Sequence, residues 1–223
     1  DYQPGDVRND GDRAGSDPRY AEQVRLVDAA TPARFNADPS RHYEAAGSAG
    51  KLAVFAVRLD TFAKEAAEVF YIGSNSTESL TAIRRQLLTG FERLPISGEY
   101  IHRVAYDIGE RYGKDTFLLI DKLGTARVPA AFALKSRVDG WFERLGLRGV
   151  TDHAMQLLTG LFPSHLPKRM GEFRQRYEHH LLVKVSAQDA AATESWLRAF
   201  FVEHEGSYFH CTPDEGRKAF LHR

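Results

Sequence analysis

Cysteine is almost missing from this chain: Cys211 stands alone among 223 residues, which excludes an internal disulfide and makes a reducing compartment the simple expectation. No run of about 18 apolar residues occurs, so no stretch reads as a membrane-spanning helix. A signal peptide is lacking as well, because residues 1–20 mix acidic, basic and glycine residues without an apolar centre. There is no net charge, and no nucleic-acid recognition motif is visible, so a nucleic-acid partner is not expected. The first residue is Asp1 rather than methionine and the last, Arg223, falls inside what reads as a young helix, so a fragment of a longer polypeptide is expected. What is present, 43% hydrophobic and 27% charged residues, suits a globular protein able to bury one large or two small cores.

The neutral total hides an uneven distribution. Residues 1–102 carry 12 cations against 15 carboxylates, residues 103–177 carry 13 against 8, and residues 178–223 carry 5 against 7. The middle of the chain is a basic island, which points to an anionic partner for that stretch alone.

Residues 1–45 are dense in turn signals (Gly5, Asn9-Asp10-Gly11, Gly15, Asp17-Pro18, Thr31-Pro32, Asp38-Pro39), with one short helix or strand possible between Tyr20 and Val27. They read as a loop-rich excursion. Gly47 and Gly50 then allow a tight turn into six apolar residues, Leu52 to Val57, the pattern of a strand buried on both faces. Alternation resumes at Arg58-Leu59-Asp60-Thr61, where a first domain hands over to a second.

Beyond this hinge the chain twice repeats strand, helix, strand. Val69-Phe70-Tyr71-Ile72 is a strand and Gly73-Ser74-Asn75 a turn; Thr77 caps a helix with Leu80, Ile83, Leu87 and Leu88 on one side, Arg84 and Arg85 outside and Gly90 as its stop; Gly98 to His102 is a strand end. Later, His180 to Val185 is a strand, Ala187 to Phe201 a helix with Ala191, Trp196, Leu197 and Phe200 for its inner side, and Tyr208 to Cys211 a strand. Thr212-Pro213-Asp214-Glu215 opens a last helix with the signature of a capping box. The pair predicts an α+β fold, an antiparallel sheet covered by helices on one face, ferredoxin-like in outline.

Between the two units, Val104, Ile108 and Tyr112 have helical spacing up to Gly113, and Thr116-Phe117-Leu118-Leu119-Ile120 reads as a short apolar strand. From Arg137 to Arg176 large apolar residues, Trp141 and Phe142 among them, alternate with Arg144, Arg148, Lys168, Arg169, Arg174 and Arg176. Such a mixture suits a segment lying in a bilayer interface, with apolar groups in the acyl boundary and cations on anionic headgroups. It also suits a helical pair that packs its apolar face inward and solvates a basic one.

Two resemblances bear on this choice. Gly47-Ser48-Ala49-Gly50-Lys51-Leu52-Ala53-Val54 resembles the glycine-rich segment closing the FAD-binding domain of the vanillyl-alcohol-oxidase class of flavoproteins. Gly98 to Arg103, Tyr112 to Thr125, Leu161-Phe162-Pro163-Ser164-His165-Leu166-Pro167, Tyr177 to Leu182, Cys211 to Arg223 and Asp28 to Pro39 resemble the quinone-dependent D-lactate dehydrogenases of bacterial respiratory membranes, in order and over nearly the whole chain. That resemblance implies an FAD flavoprotein that oxidises D-lactate to pyruvate, passes electrons to quinone, and sits peripherally on an anionic membrane surface at the cytoplasmic face of the inner membrane. It divides the chain into the end of an FAD domain (1–61), the first part of a cap domain (62–101), a basic membrane-binding insertion (102–178) and the second part of the cap (179–223). The insertion coincides with the basic island, which favours the interfacial reading.

The resemblance also implies site residues. Val54 falls on the family position that contacts FAD, with Gly50 and Leu52 shaping the approach. The pyrophosphate loop is expected before residue 1 and the histidines near the flavin after Arg223, so the chain alone is expected neither to hold FAD firmly nor to turn over. Arg223 is the candidate partner of the substrate carboxylate, since related caps place an arginine at a similar point; a helix-surface arginine is the plain alternative.

A protein-built metal site is not expected. His102, His179-His180 and His210-Cys211 lack metal-ligand spacing, and adjacent strand histidines point to opposite faces. Ser164-His165 has no third group for a triad. The competing function is a non-catalytic membrane- or partner-binding α+β module.

Overall fold

The computed structural model describes residues 20–29, 51, 53, 63–144 and 166–222. The chain divides into two units, Asp1–Glu65 with Ile83–Leu94 and Ala66–Ala82 with Pro95–Arg223.

In the first unit, helix α1 (Tyr20–Val24) is followed by Arg25, whose guanidinium donates to the carbonyls of Leu88 (2.9 Å), Phe91 (2.8 Å) and Glu92 (2.5 Å). These are carbonyls at and just past the end of helix α2 (Thr77–Thr89), where helical partners run out and a cation is favoured. Arg85 also makes a two-point ion pair with Asp28. The N-terminal residues of α2 belong to the second unit. There Ser76, rather than the expected Thr77, caps the helix: its Oγ accepts from the Ser79 N–H at 3.1 Å. In the run Ser74-Asn75-Ser76-Thr77 the cap is the last residue with non-helical backbone, one place earlier than the apolar spacing suggests.

The second unit is built on four antiparallel strands, β1 (Ala67–Ser74), β2 (Ser97–His102), β3 (His179–Ser186) and β4 (Ser207–His210), in the order β2-β3-β1-β4. With a helix between the strands of each pair, this is the ferredoxin-like arrangement predicted. β1 and β3 are central, pairing Tyr71 with Leu182 and Phe70 with Val183. Both are largely buried, which is why Val69 to Ile72 and Leu181 to Val183 read as unbroken apolar runs.

Alternation along each strand sorts the sheet into two faces. Tyr71, Leu182, Phe209 and Ile101 join one core with Tyr106, Phe117, Leu166, Met170, Phe173, Tyr177, Cys211 and Ala219. Helices α3 (Arg103–Tyr112), α4 (Lys114–Leu123), α6 (Lys168–Arg176) and α8 (Pro213–His222) supply Tyr106, Phe117, Met170 with Phe173, and Ala219, while Leu166, Tyr177 and Cys211 come from the segments beside them. Packing is close enough that a Cβ on Gly73 would lie 2.3 Å from the Tyr177 ring, and one on Gly216 would lie 3.0 Å from Val69. The other face carries Phe70, Tyr208 and His210 against helix α7 (Ala190–Glu203), with Tyr208 Oη donating to the Glu194 carbonyl at 3.4 Å.

Three expectations change here. Helices cover both faces of the sheet rather than one, because residues of the basic stretch fold back as α3, α4 and α6. Thr116 to Ile120 is helical, not a strand: it lies within α4, where Phe117 turns into the core and the Gly124 N–H closes the end on the Ile120 carbonyl at 2.9 Å. Four consecutive apolar residues, Phe117 to Ile120, fit a buried helix turn as well as a strand, and glycines at both ends decide for the helix. Finally, α7 starts at Ala190 and buries Ala190, Thr193 and Leu197, leaving Ala191 exposed and Trp196 and Phe200 half-buried. A later start rotates the inner face, while Phe200 stacks on His204 at 3.9 Å instead.

The capping box of α8 is as predicted. The Glu215 N–H donates to Thr212 Oγ1 (3.3 Å) and the Thr212 N–H to Glu215 Oε2 (2.8 Å).

Candidate membrane-facing surface

The basic stretch contributes helices with opposite orientations. In α6, Met170 and Phe173 face the core, and the cations beside them are drawn to carboxylates elsewhere in the fold. Arg169 donates through Nε to Glu215 Oε1 at 2.8 Å and through Nη2 to Glu215 Oε2 and to the His210 carbonyl (3.0 Å), with its guanidinium 4.4 Å from the centre of the Phe209 ring. The Arg169 bonds, offset by burial and helped by the capping bonds to Thr212, hold the Glu215 carboxyl down at about 2. Arg174 forms a two-point pair with Asp107 of α3, both contacts at 2.6 Å, and so holds that carboxyl below its ordinary range. Arg176 lies over the Tyr177 ring, 5.2 Å from its centre, and Lys168 is 3.7 Å from Glu172. Of the four α6 cations expected at a membrane, Arg169 and Arg174 are engaged inside the protein, while Lys168 and Arg176 remain exposed.

Helix α5 (Val128–Arg144) is turned the other way. Leu134, Val138 and Trp141, spaced by four and three residues and therefore on one side, are all exposed, Leu134 by 63% and Trp141 by 59%. Trp141 meets Phe142 edge to face at 5.3 Å. Arg127 before the helix and Arg137 and Arg144 within it are exposed as well. An apolar ladder flanked by cations is the pattern of a helix lying in a bilayer interface. Leu134 and Val138 were missed from sequence, although their spacing to Trp141 was there to be read. Among the described residues no helix is long and apolar enough to cross a membrane. Arg148, Gly50, Leu52, Val54 and Arg223 lie outside the described residues.

The histidines separate as adjacent strand residues must. His179 accepts or donates with Tyr100 Oη at 2.7 Å on one side of the sheet, near His102, whose Nε2 is 3.5 Å from Glu178 Oε1. His180 is fully buried on the other side, between the rings of Tyr71 (5.6 Å) and Tyr106 (5.9 Å). Burial pushes its pKa down to about 4, with His179, Arg103 and His102 adding and the Tyr177 backbone opposing. Burial likewise pushes the Cys211 thiol up to about 12, which leaves it protonated and unreactive.

The sequence profile of the family described as D-lactate dehydrogenase, membrane binding, matches residues 69–223. The chain belongs to this family. The match takes in the sheet from Val69 onward and helices α2 to α8. Quinone-dependent D-lactate dehydrogenases are similar along the chain: 56% identity to that of Escherichia coli K12 over 221 residues, 98% of the chain and 38% of the relative. The Haemophilus influenzae protein of that name is 49% identical over 231 residues, covering 100% of the chain and 40% of the relative. The Corynebacterium glutamicum protein is 46% identical over 213 residues, 93% and 37% respectively. The chain thus spans about two-fifths of the length of these curated relatives.

Proposed function

We propose that the chain is the membrane-docking part of a quinone-dependent D-lactate dehydrogenase. In this reading the full-length protein oxidises D-lactate to pyruvate, FAD supplies the hydride-accepting chemistry when bound, and quinone takes the electrons at the cytoplasmic face of the bacterial inner membrane. The single observation that carries the docking role is the exposed ladder Leu134, Val138 and Trp141 with Arg137 and Arg144 beside it. Its apolar groups suit the acyl boundary and its cations suit anionic headgroups, each near-surface cation contributing about 1 kcal/mol.

Gly50, Leu52 and Val54 are proposed to line the FAD approach and Arg223 to hold the lactate carboxylate. These roles rest on the family resemblance. Lys168, Arg176 and Arg148 are proposed as supporting cations. Arg169 and Arg174 are assigned to the fold, where their carboxylate partners already neutralise them.

The test is a flavin spectrum of the full-length polypeptide, combined with vesicle sedimentation. Anaerobic D-lactate is expected to bleach the oxidised flavin band, and vesicles containing phosphatidylglycerol are expected to carry the protein down, with partial release as salt rises. Bound flavin that lactate does not bleach would remove the substrate assignment. Sedimentation without any bound flavin would favour a non-catalytic membrane-binding module.

A further inference from the structure

Helix α3 leaves one side uncovered, and its anchored side explains why. Tyr106 is buried in the core, Asp107 is held by Arg174 of α6, and Gly109 sits so near His222 of α8 that a Cβ there would lie 3.1 Å from the imidazole Cε1. Rotating the helix to hide its outer side would break the ion pair and drive a side chain into His222. The outer side is therefore presented by construction.

That side carries Val104, Ile108 and Tyr112, each one turn from the next and exposed by 57%, 54% and 55%. Ala105 and Arg111 are the other exposed residues of the helix, and the Arg111 guanidinium lies over the Tyr112 ring, 5.2 Å from its centre. Asp107 is turned to Arg174, and Glu110 falls on the opposite side of the helix. The presented face holds apolar groups and one cation, and no carboxylate.

We propose that this face of α3 enters the headgroup–acyl boundary of a bilayer as a second apolar contact beside α5, an inference that rests on the membrane-docking reading above. Aliphatic side chains followed by a tyrosine and a flanking arginine match the layers of the interface: acyl boundary, amphipathic ring, headgroup. Helix α4 links the two surfaces, touching both α3 and α5. Pairing with a second copy fits less well, since a two-fold contact would bring each Arg111 against an apolar face that offers it no carboxylate.

The test attaches an environment-sensitive fluorophore to Ile108→Cys in the full-length polypeptide, with the other cysteines, Cys211 included, replaced by alanine. Val202→Cys, on an 81% exposed position of α7, serves as the comparison site. On adding vesicles of phosphatidylcholine and phosphatidylglycerol in equal parts, acrylamide quenching at Ile108 is expected to fall about five-fold. Quenching at Val202 is expected to stay unchanged. Tyr112→Cys should respond like Ile108→Cys, and the protection should survive molar salt. Co-sedimentation with unchanged quenching at both α3 sites would overturn the inference and leave the docking reading intact, whereas no sedimentation would overturn both. Protection before vesicles are added also overturns it, identifying the rest of the polypeptide as the cover if independent of protein concentration and a second copy if it rises with concentration.

Discussion

Helices α5 and α6 come from the same basic stretch and both set large apolar residues beside cations, yet one faces out and the other in. In α6, Met170 and Phe173 are core residues, and Arg169 and Arg174 close on Glu215 and Asp107, which lie 46 and 67 residues away in sequence. In α5 the large apolar residues Leu134, Val138 and Trp141 stand in the open and Arg137 and Arg144 are exposed. Cations beside apolar residues therefore do not by themselves mark a membrane surface. What decides is whether the rest of the fold supplies carboxylates for the cations and a cavity for the apolar groups.

The contrast predicts opposite phenotypes for aromatic truncation. Phe173 packs edge to face on Phe209 at 4.8 Å and on Tyr71 at 5.9 Å. Phe173→Ala should lower the unfolding free energy by about 4 kcal/mol, seen as a lower denaturant midpoint, with vesicle affinity of the folded protein unchanged. Loss of vesicle affinity without loss of stability would mean that α6 faces the membrane after all.

The extent to which this was legible in sequence follows the same division. The antiparallel sheet and its ferredoxin-like outline were readable because Val69 to Ile72 and Leu181 to Val183 are continuous apolar runs and each strand pair brackets a helix. The α8 capping box was readable because Thr212 and Glu215 carry it locally. The fate of Arg169 and Arg174 was not, since their partners are set by tertiary folding and no local pattern announces them. The strand expected at Thr116 to Ile120 failed because four apolar residues in a row have no period of their own, and the flanking Gly113 and Gly124 were the better signal. Leu134 was overlooked because the apolar series was begun at Arg137, and Val138 because the series counted only larger apolar residues, from Trp141 on.

The inner side also carries a pH signature. His180 has a folded-state pKa of about 4 against an ordinary 6.5, so between these values the unfolded chain binds the proton more readily than the folded one. Its stabilising contribution is complete above pH 6.5 and is lost as pH falls toward about 4, by about 3 kcal/mol in all. Urea unfolding at stepped pH should show this decline, and His180→Leu should flatten it across that window. An unchanged slope in the variant would assign the acid sensitivity to other groups.

The smallest effect is expected on the outer side. Trp141 has little packing to lose beyond Phe142, so Trp141→Ser should change unfolding free energy by less than about 0.5 kcal/mol. Burial of the indole in lipid would contribute about 1.4 kcal/mol, so vesicle affinity should fall about ten-fold. Salt separates the two components of docking: raising it weakens the Arg137 and Arg144 contribution and leaves the apolar one, so the ten-fold ratio between native and Trp141→Ser proteins should persist at high salt while both affinities drop. A ratio that collapses with salt would mean that Trp141 acts by positioning the neighbouring cations. A ratio of one at every salt would place α5 away from the lipid and leave α3 as the remaining apolar contact to test.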